Sequence, residues 1–344
     1  MSALSLPQFR VFAGEQINAA VQEGRRAILT TVEAAYRAHQ AGRTVNPESQ
    51  FLRFPDGPRN RIIALPAHIR DRSGDGVTGI KWISSFPENV ERGMPRASAV
   101  LILNDIMTGY PMACMEASII SAARTAASAI SALRCLAANR TLPDRGLRIG
   151  FIGAGVIARH VAECLPLAER DISRVTVHDL SDEYAASLVA RIESRLGYEA
   201  YAETSLERTI RHSDIVVFAT TAAMPYVDNP DWFSHCPTVL HLSLRDLAPE
   251  VVLASHNVVD DIDHCLRAQT SLHLTEGAIG HRRFVTTSLP HLLCGGEPPS
   301  QDRPIVFSPF GLGILDIAVG RWVYERLATH QAPVPRFFYD MQRA

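Results

Sequence analysis

LRIGFIGAGVIARH, residues 147–160, decides the reading of this chain. Ile149 to Ile152 is an apolar run, the pattern of a strand buried on both faces. Gly153-Ala154-Gly155 interrupts it, and Val156-Ile157-Ala158 opens a helix. Strand, glycine turn and helix in that order make the G-x-G-x-x-G/A fingerprint of a dinucleotide site. Gly153 makes the tight turn, Gly155 lets backbone approach a pyrophosphate, and Ala158 is small enough for the helix to pack on its strand. The N–H groups of Ala154, Gly155, Val156 and Ile157 at the helix start hold the anion. A glycine turn alone is weak evidence. Here the next strand, Val175 to His178, ends in Asp179, where a ribose-binding acid belongs. An acid there repels a 2′-phosphate, so the expected cofactor is NAD rather than NADP.

The rest of the composition narrows the class. The chain has 344 residues, enough for two domains. Its 34 basic and 36 acidic residues nearly cancel, which gives no electrostatic case for nucleic acid or a membrane surface. No run is expected to span a membrane, and the N-terminus lacks the regions of a signal peptide. The six cysteines form no C-x-x-C pair, so reduced thiols and a cytoplasmic location are expected. The thirteen histidines show no ligand spacing, and no metal is expected.

Working outward from the fingerprint, the downstream chain alternates. Helices are expected near Val156–Glu169, Glu183–Leu196 and Ser205–Arg211. Strands are expected near Val175–His178, Ile215–Ala219, Thr238–Leu242 and Asn257–Asp260. That alternation predicts a parallel, doubly wound sheet. Ile215–Ala219 runs into Thr220-Thr221, small polar residues suited to the edge of a nucleotide crevice. Upstream lies Ser118–Ala138, alanine-rich with an apolar stripe, a long helix that leads through Leu142-Pro143 into the fingerprint. Before it, Phe51–Phe54, Arg61–Leu65, Gly79–Ile83 and Ala99–Leu103 read as short strands of an antiparallel or mixed sheet. Glu15–Gln40 reads as one helix, and the last helix, Ile314–Leu327, has no strand after it and returns to the first domain.

Four residues stand out as chemistry. Lys81, in Ile80-Lys81-Trp82-Ile83, is either an edge residue facing solvent or a buried charge with an anionic partner. Arg124 sits among Ala122, Ala123, Ala126 and Ala127, which let a ligand come close. Arg53 lies between Leu52 and Phe54. Asp246 follows a strand of the nucleotide domain; it either activates water or caps the next turn.

Together Gly79-Ile-Lys81-Trp82, Thr108-Gly-Tyr-Pro111, EASIISAARTAASA at 116–129, the glycine turn and Ser243–Glu250 resemble the ornithine cyclodeaminase/mu-crystallin family over nearly the whole chain. Residues 81–89, Met94–Ser98 and Phe307–Ile314 look like a narrower branch, the dehydrogenases of 2,3-diaminopropionate biosynthesis in siderophore pathways. The resemblance implies an α/β fold. A Rossmann domain, 129–316, is inserted into a split α+β substrate-binding and dimerisation domain, 1–128 with 317–344. It implies a homodimer. It places a carboxylate-binding lysine at Lys81, arginines at Arg124 and at or beside Arg53, Thr125 near the cofactor phosphate, and the catalytic aspartate at Asp246. Arg96 is a fourth candidate substrate cation, and Thr220 and Ser243 join the cofactor residues. The family's G-D-x-P-G-K has become Leu244-Arg-Asp246-Leu-Ala-Pro249, without its glycine and lysine, which tells against ornithine cyclisation.

The branch implies NAD-dependent oxidative hydrolysis of N-(2-amino-2-carboxyethyl)-L-glutamate to 2-oxoglutarate and L-2,3-diaminopropionate, with Asp246 as general base. Three carboxylates on that substrate suit Arg53, Lys81, Arg124 and Arg96. The alternatives are an ornithine or lysine cyclodeaminase or ketimine reductase, and a non-catalytic NAD(P)H-binding regulatory protein.

Overall fold

A computed structural model describes residues 7–70, 74–137, 145–335 and 337–338. The connection at Leu142-Pro143 lies outside them. The chain divides into two compact units, Met1–Arg124 with Leu312–Ala344, and Thr125–Gly311. The joins therefore lie at Arg124 and Leu312, a few residues before the 128 and 317 of the sequence reading. Asp316 thereby falls in the first unit.

The first unit is a seven-stranded mixed sheet with helices. In chain order it contains β1 (Arg10–Phe12), α1 (Gly14–Glu23), α2 (Arg25–Gln40), β2 (Thr44–Val45), β3 (Gln50–Phe54), β4 (Gly57–Arg70), β5 (Gly76–Ser85), β6 (Ala97–Asn104) and β7 (Pro111–Glu116). Then α3 (Ser118–Ala137) begins. The strands run β1-β7-β6-β5-β4-β2, with β3 also on β4; β1 is parallel to β7 and the other pairs are antiparallel. Residues of one parity, Leu65, Ala67, Lys81, Leu101, Leu103 and Met115, are buried. Those of the other, Leu52, Trp82 and Val100, are exposed.

Glu15–Gln40 is not one helix. Gly24 closes α1 by donating to Ala20 O at 3.0 Å, and its carbonyl opens α2 by accepting from Ile28 N at 2.9 Å. A Cβ at 24 would stand 2.1 Å from the Trp322 ring, so that indole fills the break. The span Ser118–Ala137 also corrects an expectation: it is long and apolar enough to cross a membrane, but 83% of its apolar window is buried inside the protein, as in a core helix.

The second unit contains β8 (Leu147–Ile152), α4 (Val156–Cys164), β9 (Ile172–His178), α5 (Asp182–Leu196), β10 (Ala200–Ala202), α6 (Leu206–Arg211), β11 (Ile215–Phe218), β12 (Thr238–His241), α7 (Pro249–Leu253), β13 (His256–Val259), α8 (Ile262–Cys265), α9 (Ser271–Ile279), β14 (Val285–Ser288), α10 (Leu289–Leu293) and β15 (Ile305–Ser308). All eight strands are parallel, in the order β10-β9-β8-β11-β12-β15-β13-β14. Strand order reverses at β8, which pairs with β9 on one side and β11 on the other, as in a doubly wound sheet. The sequence reading lacks β10, β14 and β15, of three or four residues each. The α4 helix stops at Cys164 rather than Glu169, because Pro166 cannot donate and the chain tightens into a 3-10 turn.

The final helix, α11 (Gly313–Leu327), returns to the first unit as the sequence suggests. It packs on the buried sheet face: Cβ atoms built at Gly313 and Gly320 would meet Ala67 and Leu101. At Gly79 a Cβ would stand 2.3 Å from Ile102 O on the neighbouring strand. Gly79→Ala should therefore cost about 1–3 kcal/mol by overpacking, read as a lower urea midpoint with an unchanged slope. An unchanged midpoint would show that the strands part freely there.

Candidate functional site

In the second unit the glycine turn stands at the switch point of the sheet, outside the carboxyl end of β8. Gly153 has φ +92° and donates to His178 O at 2.8 Å. A Cβ there would lie 2.6 Å from Ala219 O, at the end of β11, so only glycine lets the two strand ends close up. Gly155 is the N-cap of α4, with no side chain capping the helix and nothing within 4 Å of a built Cβ. The start of α4 thus has unfilled donors and open space, while Ala158 is fully buried. Asp179 accepts from Ala154 N at 2.7 Å and from Ser181 N at 2.9 Å, tying the end of β9 to the glycine turn. An open glycine, an uncapped helix start and a carboxylate at the end of the second strand fit a dinucleotide.

Asp246 lies in the same unit and is fully buried. One oxygen accepts from Thr220 Oγ1 and, at 2.9 Å, from Tyr226 Oη. The other accepts from Ser243 Oγ and stands 3.1 Å from His241 Nε2. His241 Nδ1 stands 3.0 Å from Ser308 Oγ, and the Asp246 N–H lies 3.2 Å from Nε2. Burial pushes the Asp246 carboxyl up, but the hydrogen bond and positive charge of His241, with the hydrogen bonds from Ser243 and Thr220, outweigh it and bring it to about 2. A carboxylate so weakly basic, with every lone pair engaged, does not hold a proton near neutral pH. Asp246 is therefore ionised at neutral pH, the form in which the proton-accepting role expected from sequence is open to it, and it orients the hydroxyls around it. Of its partners, Tyr226 is 41% exposed, so its ring borders solvent.

The turn that delivers Asp246 is strained. Leu244 has φ +76°, and the facing residues Ala268 and Gln269 have φ +54° and +57°. Arg245 clamps the two together, donating to Gln269 O at 2.9 Å and Ala268 O at 2.6 Å. Left-handed non-glycine residues persist where the surroundings over-determine them.

In the first unit Lys81 is the buried charge of the two readings, only 2% exposed. Its Nζ is 2.7 Å from Asp316 Oδ2, and Arg124 Nε is 3.1 Å from Asp316 Oδ1. Ser121 Oγ accepts from Lys81 at 3.2 Å and from Arg124 at 3.4 Å. The structure thus brings Lys81 and Arg124 together on one carboxylate, leaving a surplus positive charge. Burial pushes the Lys81 ammonium down to about 8 against the pull of Asp316. Thr125, next to Arg124, opens the second unit and is buried.

Two expected cations are elsewhere on the sheet. Arg53 is exposed on β3, its guanidinium 5.2 Å from the centre of the Phe51 ring. Arg96 donates from Nη1 to Ser85 Oγ at 2.7 Å, at the far end of β5 from Lys81. The sequence reading missed Asp316, His241 and Tyr226. Asp316 carried the same signal as Lys81, a lone charge in the apolar run Gly313–Gly320.

Removing Asp316 strands two buried cations, so Asp316→Ala should destabilise the protein by about 3–5 kcal/mol; a loss below 1 kcal/mol in denaturant melts would contradict the pairing. Lys81 binds its proton less tightly folded, at about 8, than unfolded, at 10.5. Its burial penalty is fully present below pH 8 and relieved as pH rises toward 10.5. Stability should therefore gain a rising component across that window, and Lys81→Met should remove it. An identical pH slope in both proteins would sink the assignment.

Comparisons with known proteins agree with this geometry. Residues 16–331 match the profile of the ornithine cyclodeaminase/mu-crystallin family. The chain is 32% identical to N-((2S)-2-amino-2-carboxyethyl)-L-glutamate dehydrogenase from Staphylococcus aureus, over 85% of this chain and 87% of that one. Among solved structures, an archaeal alanine dehydrogenase dimer with bound NAD superposes with a TM-score of 0.83 at 25% identity, covering 96% of this chain and 100% of the other. Δ1-pyrroline-2-carboxylate reductase of Thermococcus litoralis, described in complex with NADH and L-proline, shares the fold, with a TM-score of 0.85 at 24% identity and coverage of 94% and 100%. A dinucleotide turn at the switch point, with a buried Lys–Asp–Arg cluster in the other unit, is thus set in a known framework: the chain belongs to the ornithine cyclodeaminase/mu-crystallin family.

Proposed function

We propose that the protein is an NAD-dependent dehydrogenase of a secondary amine, and that it oxidatively hydrolyses N-(2-amino-2-carboxyethyl)-L-glutamate to 2-oxoglutarate and L-2,3-diaminopropionate for siderophore or related biosynthesis. The observation that carries this reading is the surplus of fixed positive charge on the first unit. Lys81 and Arg124 share a single carboxylate, and Arg53 and Arg96 add two further guanidiniums. A substrate with three carboxylates uses such a set; a simple amino acid does not. The 32% identical relative bears the name of that activity.

In this reading Gly153, Ala154, Gly155, Val156 and Ile157 seat the pyrophosphate, Asp179 takes the ribose, and Thr125, Thr220 and Ser243 complete the cofactor site. NAD held by these residues would supply the hydride acceptor for the glutamate Cα of the substrate. The imine left behind takes up water, and the carbinolamine breaks its C–N bond to release the ketone and the amine. Lys81 and Arg124 hold a substrate carboxylate, with Arg53 and Arg96 as the further cations. Asp246, ionised among the hydroxyls of Thr220, Tyr226 and Ser243, favours the cationic iminium, takes the proton of the attacking water and returns it to the departing amine nitrogen. Two copies pair through the first unit, whose exposed sheet face of Leu52, Trp82 and Val100 supplies apolar surface.

Mass spectrometry of the amine incubated with NAD should show 2-oxoglutarate and L-2,3-diaminopropionate in step with NADH. Proline and ammonia formed from ornithine with catalytic NAD would instead identify a cyclodeaminase. NADH binding without turnover of any amine would favour the regulatory reading. Asp179→Ser should narrow the preference for NAD over NADP by about tenfold or more, since loss of one repulsive charge contact is worth roughly 1.4 kcal/mol per decade; an unchanged ratio would remove Asp179 from the ribose site.

A further inference from the structure

Asp246 is fully buried, so its carboxylate offers no open oxygen to water. A base that takes a proton from water must reach it directly or through one intervening group. The two oxygens of Asp246 are served from different strands. β11 and β12 are parallel neighbours, and the donors follow their carboxyl ends. On Oδ2 stand His241 Nε2, at the end of β12, and Ser243 Oγ, in the turn after it. That side is closed: His241 is buried, and its Nδ1 meets Ser308 Oγ, which is buried too. On Oδ1 stand Thr220 Oγ1 and Tyr226 Oη, from the segment after β11. Thr220 and Ser243 are half-buried, and Tyr226 is the exposed one of the four.

Backbone holds the phenol in place. Tyr226 N and Val227 N both donate to Asp246 O at 3.0 Å, and Ala248 N donates to Val227 O at 2.9 Å. Val227 and Leu247 form a parallel bridge. The segment bearing the phenol is thus laced to the segment bearing the carboxylate, and Oη stands 2.9 Å from Oδ1. A donor fixed in advance needs no reorganisation when charge moves. Burial, with the charge and hydrogen bond of Asp246, pushes the phenol up against a smaller opposing pull from Thr220, so it keeps its proton. Oη gives its hydrogen to Asp246 and retains lone-pair capacity to accept another. Thr220 is less suited, because its Oγ1 already accepts from Ala222 N at 3.2 Å. Tyrosine, unlike serine or threonine, is also a recurrent general acid and base.

We infer that Tyr226 is a further catalytic residue, the relay through which buried Asp246 exchanges protons with the water that attacks the iminium and with the nitrogen that departs. The inference rests on the proposed oxidation and details its hydrolytic half. As the water oxygen bonds to the iminium carbon, one water O–H bond breaks and its proton goes to Oη, while the phenol proton crosses to Oδ1. In the reverse sense, Oη gives a proton to the carbinolamine nitrogen and recovers one from Asp246. The C–N bond then breaks with its electron pair left on nitrogen. The carbinol hydroxyl gives up its proton along the same path, and that proton passes to the released amine. Iminium and water thus become a ketone and an ammonium ion, and Tyr226 and Asp246 end as they began.

Single-turnover kinetics on the full-length protein with NAD and the tricarboxylate amine test it, following NADH and 2-oxoglutarate separately, with unhydrolysed imine trapped by borohydride. Tyr226→Phe keeps the ring and lacks only the hydroxyl. It should slow formation of 2-oxoglutarate by about 100- to 10,000-fold and retain both NADH binding and the first burst of NADH. In mixtures of light and heavy water the wild-type rate of ketone formation should fall along a curve, because two protons move together. The residual rate of Tyr226→Phe should fall along a straight line, a change that a merely structural tyrosine would not produce. Without substrate, the infrared carboxylate band of Asp246 should shift in Tyr226→Phe, since one donor has gone; an unmoved band overturns the inference. A straight line for wild type also overturns it, even where Tyr226→Phe does not fold. Ketone formed by Tyr226→Phe at the wild-type rate removes the relay and leaves the proposed oxidation standing. If wild type oxidises L-alanine but not the tricarboxylate amine, and Tyr226→Phe again loses the curvature, the relay is upheld and the proposed substrate refuted. Turnover of neither refutes both.

Discussion

The first unit depends on one carboxylate. Asp316 sits fully buried between the ammonium of Lys81 and the guanidinium of Arg124. Its three members come from β5, α3 and α11, far apart in sequence. Neither cation could be buried alone, because an unpaired charge in a low-dielectric interior is too costly to persist. The cluster therefore fixes the first turn of α11 against the sheet and holds both cations in one geometry. It also leaves a net positive charge, which a structural pair does not need and an anionic ligand can use. Lys81, brought down to about 8, gives that charge a limit on the alkaline side.

The second unit solves the opposite problem with the same physics. Asp246 is a buried anion. Hydroxyls of Thr220, Tyr226 and Ser243 and the ring of His241 surround it. The hydrogen bond and charge of His241 and the donation from the hydroxyls outweigh the burial penalty and leave the group strongly acidic. The acid that stands out in the sequence is, in its surroundings, a buried carboxylate ionised at neutral pH and ringed by hydroxyls. The strained turn at Leu244, clamped by Arg245, holds that arrangement in place.

The sequence by itself determined the Rossmann unit, its cofactor turn and the helix that returns to the first unit. Each depends on local chemistry: glycines where backbone must close up, apolar runs long enough to show a period, an acid after the second strand. It also singled out Lys81, Arg124 and Asp246, because charges amid apolar or small residues are anomalous wherever they fall. Short strands such as β15, the break at Gly24 and the early end of α4 were not legible; the helix break depends on Trp322, some three hundred residues away. Only the tertiary structure decided what the singled-out charges do. Asp316 as the partner of Lys81 and the donors that keep Asp246 ionised are long-range pairings. The strength and sign of an electrostatic effect depend on distance and burial, and a linear sequence records neither.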